Sequence, residues 1–131
     1  MKRSLVFVAV LTAVAVCSIP VSSQVRSRVR FAANTNETVV HGTVSGYAYH
    51  DYVIGARAGQ SVKLTVTSST PSTVFTLLDS AENNIDGATE MDTYEGVLPK
   101  NGDYIVRVLM MRSQARRKGS VSKFTLTVRI K

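Results

Sequence analysis

The sequence predicts an all-β protein that folds as a single antiparallel β-sandwich of about eight short strands. Three observations predict this fold class. Hydrophobic and polar residues alternate along several segments, turn-forming residues separate those segments at short intervals, and no segment shows sustained helical periodicity. The chain has 131 residues, which suits one domain of ordinary size.

The expected strands follow one another through most of the chain. They lie at residues 25–31, 38–44, 48–56, 62–67, 74–78, 94–97, 104–111 and 124–130. The fourth and the eighth alternate cleanly, so each should have one buried and one solvent-facing side. The seventh is apolar at nearly every position, which predicts a central strand. Glycine, proline, asparagine and serine mark the turns between the strands.

The N-terminus has the order of a secretory signal peptide. Lys2 and Arg3 supply positive charge, and residues 5–17 form an apolar run that is too short to span a bilayer. Small and polar residues follow this run. We therefore expect cleavage after Ser23.

This reading sets the domain limits and the compartment. Residues 1–23 are the expected signal peptide, and residues 24–131 are one β-sandwich domain of a periplasmic or secreted protein. No second apolar stretch of spanning length follows, so no membrane contact is expected after cleavage. A lipoprotein anchor at Cys17 is the alternative, and it is disfavoured because Val16 is larger than such a site prefers.

The residue types that carry chemistry do not form a catalytic, cofactor or metal site. The two histidines, His41 and His50, both lie in expected strands, and His50 and Asp51 should point to opposite faces. No serine has a nucleophile pattern, and the acidic residues between the fifth and seventh strands are expected on solvated turns. The single cysteine leaves with the signal. We therefore expect no enzyme activity, no cofactor and no bound metal.

The charge balance is mildly basic. The full chain has a formal net charge of +7, and removal of two basic residues with the signal leaves fourteen basic and nine acidic residues, or +5. Such a domain could favour anionic partners, or the charge could serve solubility alone. A nucleic-acid partner is not expected.

Two segments are candidates for binding a partner. Residues 112–119 carry four positive charges and should form a hairpin loop, in which Arg112, Arg116 and Arg117 suit contacts with carboxylates or phosphates. The alternative is a solvated loop that discourages aggregation. Residues 88–94 form an irregular stretch that ends at Tyr94, which is either an interface anchor or a side chain packed on the core.

Several motifs resemble one family. They are Tyr-Glu-Gly-Val-Leu-Pro at 94–99, Gly-Asp-Tyr at 102–104, Val-Arg-Val at 106–108 and Ala-Arg-Arg at 115–117. Together they resemble the bacterial periplasmic inhibitors of g-type lysozyme, with the i-type inhibitors as more distant relatives. The resemblance covers most of residues 24–131. It implies a β-sandwich that inserts surface loops into the substrate cleft of a lysozyme and so protects peptidoglycan.

The resemblance also implies which residues bind the lysozyme. The family typically carries a Ser-Gly-x-x-Tyr loop, and here Tyr94 occupies the tyrosine position whereas Glu90 and Met91 replace the serine and glycine. A carboxylate there would repel the catalytic acid of the lysozyme unless it were protonated or paired. Arg107 would support the arginine loop from behind. The expected partner-binding residues are Tyr94, Asp92, Thr93, Arg112, Arg116 and Arg117.

A second function stays open on the sequence alone. It is that of a β-sandwich module, like those appended to secreted peptidases, that binds glycan or another anionic envelope polymer without inhibiting an enzyme. The oligomeric state is open as well, because an exposed edge strand at 25–31 could pair with a second copy. The chain is therefore expected to be a monomer or a homodimer.

Overall fold

The computed structural model describes residues 25–131, so the expected signal peptide and the alternative anchor at Cys17 lie outside the described residues. Eight strands and one short helix follow the chain order that the sequence predicts. They are β1 Val25–Arg28, β2 Glu37–Ser45, β3 Tyr49–Ala56, β4 Ser61–Ser68, β5 Thr73–Leu78, β6 Thr93–Val97, β7 Gly102–Met110, α1 Arg112–Ala115 and β8 Val121–Ile130. In this part of the chain, no helix has the length and apolar character needed to cross a membrane.

The strands form two four-stranded sheets. Sheet A has the order β1-β3-β7-β5, and sheet B has the order β2-β8-β4-β6. Every pair is antiparallel except β1 with β3, which is parallel. The all-β sandwich is confirmed, and β7 is a central strand as its composition predicts. The N-terminal strand β1 lies at an edge of sheet A.

The core lies between the sheets because one face of each alternating strand is apolar. In sheet B, Leu64 and Leu126 have no exposed surface, and in sheet A the same is true of Val106 and Val108. Each such side chain contributes about 1.5–3 kcal/mol when it is fully buried. The intervening residues of sheet B, such as Lys63, face solvent. This arrangement leaves one broad polar face on the outside of sheet B.

The prediction of a hairpin at 112–119 is wrong. Strand β7 belongs to sheet A and β8 belongs to sheet B, so the segment between them crosses from one sheet to the other. The crossing contains the single turn α1, which is anchored by the buried Ala115 and by a hydrogen bond from the Met111 amide to the Ser72 carbonyl oxygen at 2.8 Å. Alternation reports which face of a strand is buried, but it does not report to which sheet the strand belongs.

The long connection between β5 and β6, residues 79–92, runs back along the edge of β5. The Phe75 and Met91 backbones exchange two hydrogen bonds of 2.8 and 2.9 Å, and the Leu77 amide donates to the Ala88 carbonyl oxygen at 2.8 Å. The chain then reaches sheet B, where the Val66 amide donates to the Asp92 carbonyl oxygen at 2.8 Å. The connection therefore covers an edge of sheet A and links the two sheets.

Candidate partner-binding surface

The last part of this connection holds Glu90 and Met91 in fixed positions. The Glu90 backbone has a φ of 51°, which is uncommon outside glycine, and its amide donates to the Thr76 hydroxyl at 3.1 Å. The two backbone hydrogen bonds of Met91 to Phe75 leave its side chain 37% exposed. The two residues that replace the family's serine and glycine are therefore presented to solvent on an ordered backbone.

The next two residues are also presented to solvent. Asp92 is exposed, and its backbone is fixed by the hydrogen bond from Val66. Thr93 is exposed at the start of β6, opposite Thr65 of β4. The side chains of Asp92 and Thr93 thus project from a backbone that is held by sheet hydrogen bonds.

Tyr94 lies on the inner face of β6, because its register partner is the core residue Leu64. Its ring packs partly against the core and also lies over Gly96, where an added Cβ would come within 2.3 Å of the tyrosine oxygen. Both alternatives for Tyr94, an interface anchor and a side chain packed on the core, therefore have support in its geometry. The ring is partly packed and partly exposed, and it points along β6 towards Gly96, on the face opposite to the Thr93 side chain.

The basic segment, residues 112–118, carries the other expected contacts. Arg112, Arg116, Arg117 and Lys118 are all exposed. Within residues 25–131, none of these four cations lies within 4.0 Å of a carboxylate, whereas three other arginines form ion pairs. Ala115 is buried beneath them and holds the turn against the sandwich. The segment is therefore a fixed group of uncompensated positive charges.

The two groups of expected residues lie near one another, but they do not form one cluster. Met91 pairs with Phe75 of β5, and Met111 bonds to Ser72, which lies just before β5 and three residues before Phe75. At about 3.3 Å per residue, this separates them by about 10 Å along the direction of β5, and the two contacts lie on opposite edges of that strand. A partner that buries about 800 Å² of this protein could cover both groups.

An ion-pair network that the sequence did not reveal lies on the outer face of sheet A. Asp51 is 1% exposed, and its carboxylate accepts hydrogen bonds from the Arg107 guanidinium at 2.9 and 3.0 Å. Arg107 also donates to Glu82 at 2.8 Å and lies 4.2 Å from the centre of the Tyr49 ring. The hydrogen bond to Asp51 raises the pKa of Arg107 above its usual range.

This network corrects the role expected for Arg107. Arg107 does not contact the basic segment, and instead it holds the β5–β6 connection through Glu82. That glutamate lies on an exposed segment as expected, and its side chain is 54% exposed while it takes part in the ion pair. In the sequence, the ion pair is indicated only by one acidic and one basic residue within two apolar strands. The strand register, which places Asp51 opposite Arg107, shows that the two residues meet.

The histidines are placed as their strands predict. His50 and Asp51 lie on opposite faces of β3, and the His50 ring stacks on Tyr52 at 4.1 Å between centroids. Burial lowers the pKa of His50, and the charge of Asp51 opposes this effect. His41 is exposed and shares a hydrogen bond with the Thr125 hydroxyl at 3.0 Å. Among residues 25–131, no group of three or more His, Cys, Asp or Glu side chains could hold a metal ion.

Known proteins resemble this chain in sequence and in structure, although no protein-family model matches it. The inhibitor of g-type lysozyme from Escherichia coli (strain K12) is 27% identical over 107 residues, which cover 79% of each chain. The periplasmic inhibitor of g-type lysozyme from Aeromonas hydrophila has a crystal structure with a TM-score of 0.74 and 25% identity. That match covers 82% of this chain and 96% of that one.

Two further structures define how far the fold is shared. The periplasmic inhibitor of g-type lysozyme from Salmonella Typhimurium matches with a TM-score of 0.64 and 28% identity, over 83% of this chain and all of that one. A pre-peptidase C-terminal domain of Bacillus anthracis collagenase matches with a TM-score of 0.53 and 15% identity, over 83% of this chain and 97% of that one. The collagenase domain shows a shared fold alone.

The named relatives above 20% identity are inhibitor proteins and not enzymes. The matches cover 79–83% of this chain. The resemblance expected from the motifs is therefore confirmed: in both sequence and structure, this chain is similar to the bacterial periplasmic inhibitors of g-type lysozyme.

Proposed function

We propose that this protein is an exported inhibitor of a g-type lysozyme, which it blocks by covering the substrate cleft with surface loops. The observation that carries the proposal is the similarity to inhibitors of g-type lysozyme along the whole sandwich, in sequence and in structure together. The protein acts in the periplasm after its signal peptide, residues 1–23, is removed. It protects peptidoglycan by occlusion and has no catalytic activity of its own.

The surface around residues 90–94 and 112–117 supplies the contacts. Tyr94 is an anchor with little freedom, because its ring is partly packed and loses little entropy on binding. Asp92 and Thr93 precede it in the chain, are exposed and offer hydrogen bonds to the rim of the cleft. The exposed Met91 adds apolar area at the position of the family's glycine.

The basic segment supplies charge complementarity. A lysozyme cleft contains carboxylic acids, and arginine makes short, two-point hydrogen bonds to carboxylates. Arg112, Arg116 and Arg117 are free of ion pairs within the described residues, so they need not break an existing contact to bind. Their charge also accelerates the approach of a partner with an acidic cleft.

Glu90 is the feature that opposes this function. Its carboxylate stands where the family has serine, and it would meet the acidic groups of the cleft. The basic segment begins about 10 Å further along the direction of β5, and its positive charge offsets part of this repulsion. We therefore expect the Glu90 carboxylate to weaken binding to the lysozyme. Inhibition should become stronger when the charge at position 90 is removed.

The second candidate is a module that binds an anionic envelope polymer without inhibition. The formal charge of +5 after signal removal and the unpaired cations of the basic segment favour it. It has support from the fold that is shared with the collagenase domain, but that similarity extends to the fold alone. The lysozyme similarity extends to sequence as well, so inhibition is the better supported function.

A panel of enzymes and one polymer separates the two candidates. Purified residues 24–131 would be incubated with g-type, i-type and c-type lysozymes, and the residual muramidase activity of each would be measured. Selective loss with the g-type enzyme is expected. Full activity of all three enzymes at micromolar protein, together with salt-sensitive binding to isolated peptidoglycan, would replace the first candidate by the second.

A further inference from the structure

A pair of cations lies in the middle of the outer face of sheet B. Lys63 of β4 and Arg129 of β8 are direct cross-strand partners on the solvent side of the sheet. Like charges placed directly opposite each other destabilise a sheet. Within residues 25–131, neither cation lies within 4.0 Å of a carboxylate, although Glu37 and Glu95 occupy the next strands in the same row.

Arg129 also carries an unsatisfied donor. Its Nε atom is buried and has no hydrogen-bond partner, and it is the one buried side-chain polar atom without a partner in the part of the chain that the structure describes. A buried donor without an acceptor destabilises the fold. A bound water or ion is one physical explanation for such an atom.

The surface beside this pair is concave. A cleft of about 260 Å³ is lined by Lys63 and Arg129 together with the hydroxyl-bearing Thr65 and Thr127 and with Glu37. A smaller cleft of about 100 Å³ on the other side adds Lys131 and Glu95. The two clefts together are lined by three cations, two threonine hydroxyls and the carboxylates of Glu37 and Glu95, which flank the cation pair in the strand register. Cations and hydroxyl donors are the groups that bind an oxyanion.

The face continues as a polar groove beyond this cleft. Along β8, Thr127 is followed on the same face by Thr125, which lines a groove of about 520 Å³ with Thr67 and His41. Hydroxyl and imidazole groups exchange hydrogen bonds with hydroxylated ligands. A ligand with an acidic group at Arg129 could thus extend a hydroxylated portion along β8.

We propose that the outer face of sheet B binds an anionic sugar, a saccharide that bears a carboxylate or a phosphate, with its acidic group between Lys63 and Arg129. The guanidinium of Arg129 and the ammonium of Lys63 bind the oxyanion, and the hydroxyls of Thr65 and Thr127 complete its hydrogen bonds. This site is separate from the basic segment, but it adjoins the lysozyme-binding surface at Thr93, the cross-strand partner of Thr65. It does not depend on the proposed inhibition, and it would allow the protein to hold an envelope saccharide on the face of sheet B.

The test is an NMR titration of ¹⁵N-labelled residues 24–131 at physiological salt with four probes: glucuronate, glucose 1-phosphate, inorganic phosphate and glucose. We expect the two anionic sugars to shift the amide signals of Lys63, Thr65, Thr127 and Arg129. R129Q and K63Q should each weaken this binding at least about tenfold, because each removes one charged hydrogen bond. R57Q, which removes an exposed cation from the turn between β3 and β4, should leave binding unchanged.

Each alternative outcome contradicts a stated part of the proposal. Shifts that persist unchanged in K63Q or in folded R129Q, or that centre on the basic segment, would overturn the site. If glucose binds as tightly as glucuronate and glucose 1-phosphate, the role assigned to the anionic group is overturned. Inorganic phosphate that binds as tightly as glucose 1-phosphate would overturn the assignment of a sugar. K63Q alters an exposed side chain, so this comparison remains decisive even if R129Q folds poorly.

Discussion

The carboxylate of Asp51 and the guanidinium of Arg107 form a buried two-point ion pair on the outer face of sheet A, with nitrogen–oxygen distances of 2.9 and 3.0 Å. The pair joins β3 to β7, and Glu82 extends it to the connection that leads to residues 90–94. Arg26 of β1 adds a longer contact to Asp51 at 3.4 Å. One buried carboxylate therefore links two neighbouring strands of its sheet and indirectly positions the candidate surface.

The first prediction concerns this pair. Asp51→Asn removes the charge that compensates Arg107, and breaking a buried ion pair costs about 3–5 kcal/mol. We expect a loss of about 3 kcal/mol in the free energy of unfolding by urea, because Glu82 still partners Arg107. The matched control is Asp103→Asn, which breaks the exposed pair with Arg28. Equal losses in the two variants would contradict the role assigned to burial.

A second prediction tests the position of the Tyr94 ring. Gly96→Ala places a Cβ 2.3 Å from the Tyr94 hydroxyl oxygen, so the ring must move while the tyrosine itself is kept. We expect Gly96→Ala and Tyr94→Ala each to raise the inhibition constant for g-type lysozyme at least about tenfold, as the loss of an anchor does. Val97→Ala, on the exposed face of the same strand, serves as the control. Inhibition that survives both substitutions would remove Tyr94 from the interface.

The charge at position 90 gives a third prediction. Glu90→Gln keeps the shape of the side chain and removes its charge, so it should lower the inhibition constant by up to about tenfold if the carboxylate faces an acidic cleft. Glu90→Ser restores the residue that is typical of the family and should act in the same direction. An unchanged or higher constant for Glu90→Gln would show that this carboxylate does not oppose binding.

The basic segment is tested by its dependence on salt. Arg116→Ala should slow association with the lysozyme and make the association rate less sensitive to ionic strength, because an exposed charge acts mainly on the approach of the partner. Arg57→Ala, which removes an equally exposed cation at the far end of the sandwich, should change neither quantity. Stopped-flow measurements at two salt concentrations compare the variants. Identical salt slopes for all proteins would exclude the segment from the encounter.

The pH dependence of stability follows from His50. Burial lowers the pKa of His50 in the folded state, so the unfolded chain takes up the proton first as the pH falls below about 6.5. Stability should therefore decrease from pH 7 towards pH 5. His50→Phe keeps a ring on Tyr52 but removes the titrating group, and its urea midpoint should decrease less over this range. His41→Gln is the control, and a pH slope that is the same in His50→Phe would contradict the assignment.

Much of the fold could be predicted from the sequence because alternation is a local property. The pattern of β8 predicted its buried face correctly, and the apolar composition of β7 predicted its central position. The crossing at 112–119 could not be predicted, since sheet membership depends on pairings between distant strands. The partnership of β7 with β3 and β5, and of β8 with β2 and β4, has no signal within either strand alone.

The candidate surface was predicted only in part for the same reason. The motifs led us to propose Tyr94 and the arginines as contacts, but they did not reveal that Met91 pairs with Phe75 or that Tyr94 packs over Gly96. The Asp51–Arg107 pair escaped prediction because the two residues are far apart in the chain and meet only through strand register. Sequence patterns report what a residue is and which way it points, whereas its neighbours across the sheet follow from the topology.

The central claim is that residues 24–131 inhibit a g-type lysozyme by forming a complex with it. The most direct measurement is the residual activity of a g-type lysozyme at fixed micromolar concentration, titrated with this protein. We predict that activity falls in proportion to added protein and approaches zero near one equivalent. Activity that stays undiminished at a tenfold excess would contradict the claim, and the sandwich would then have to serve another partner.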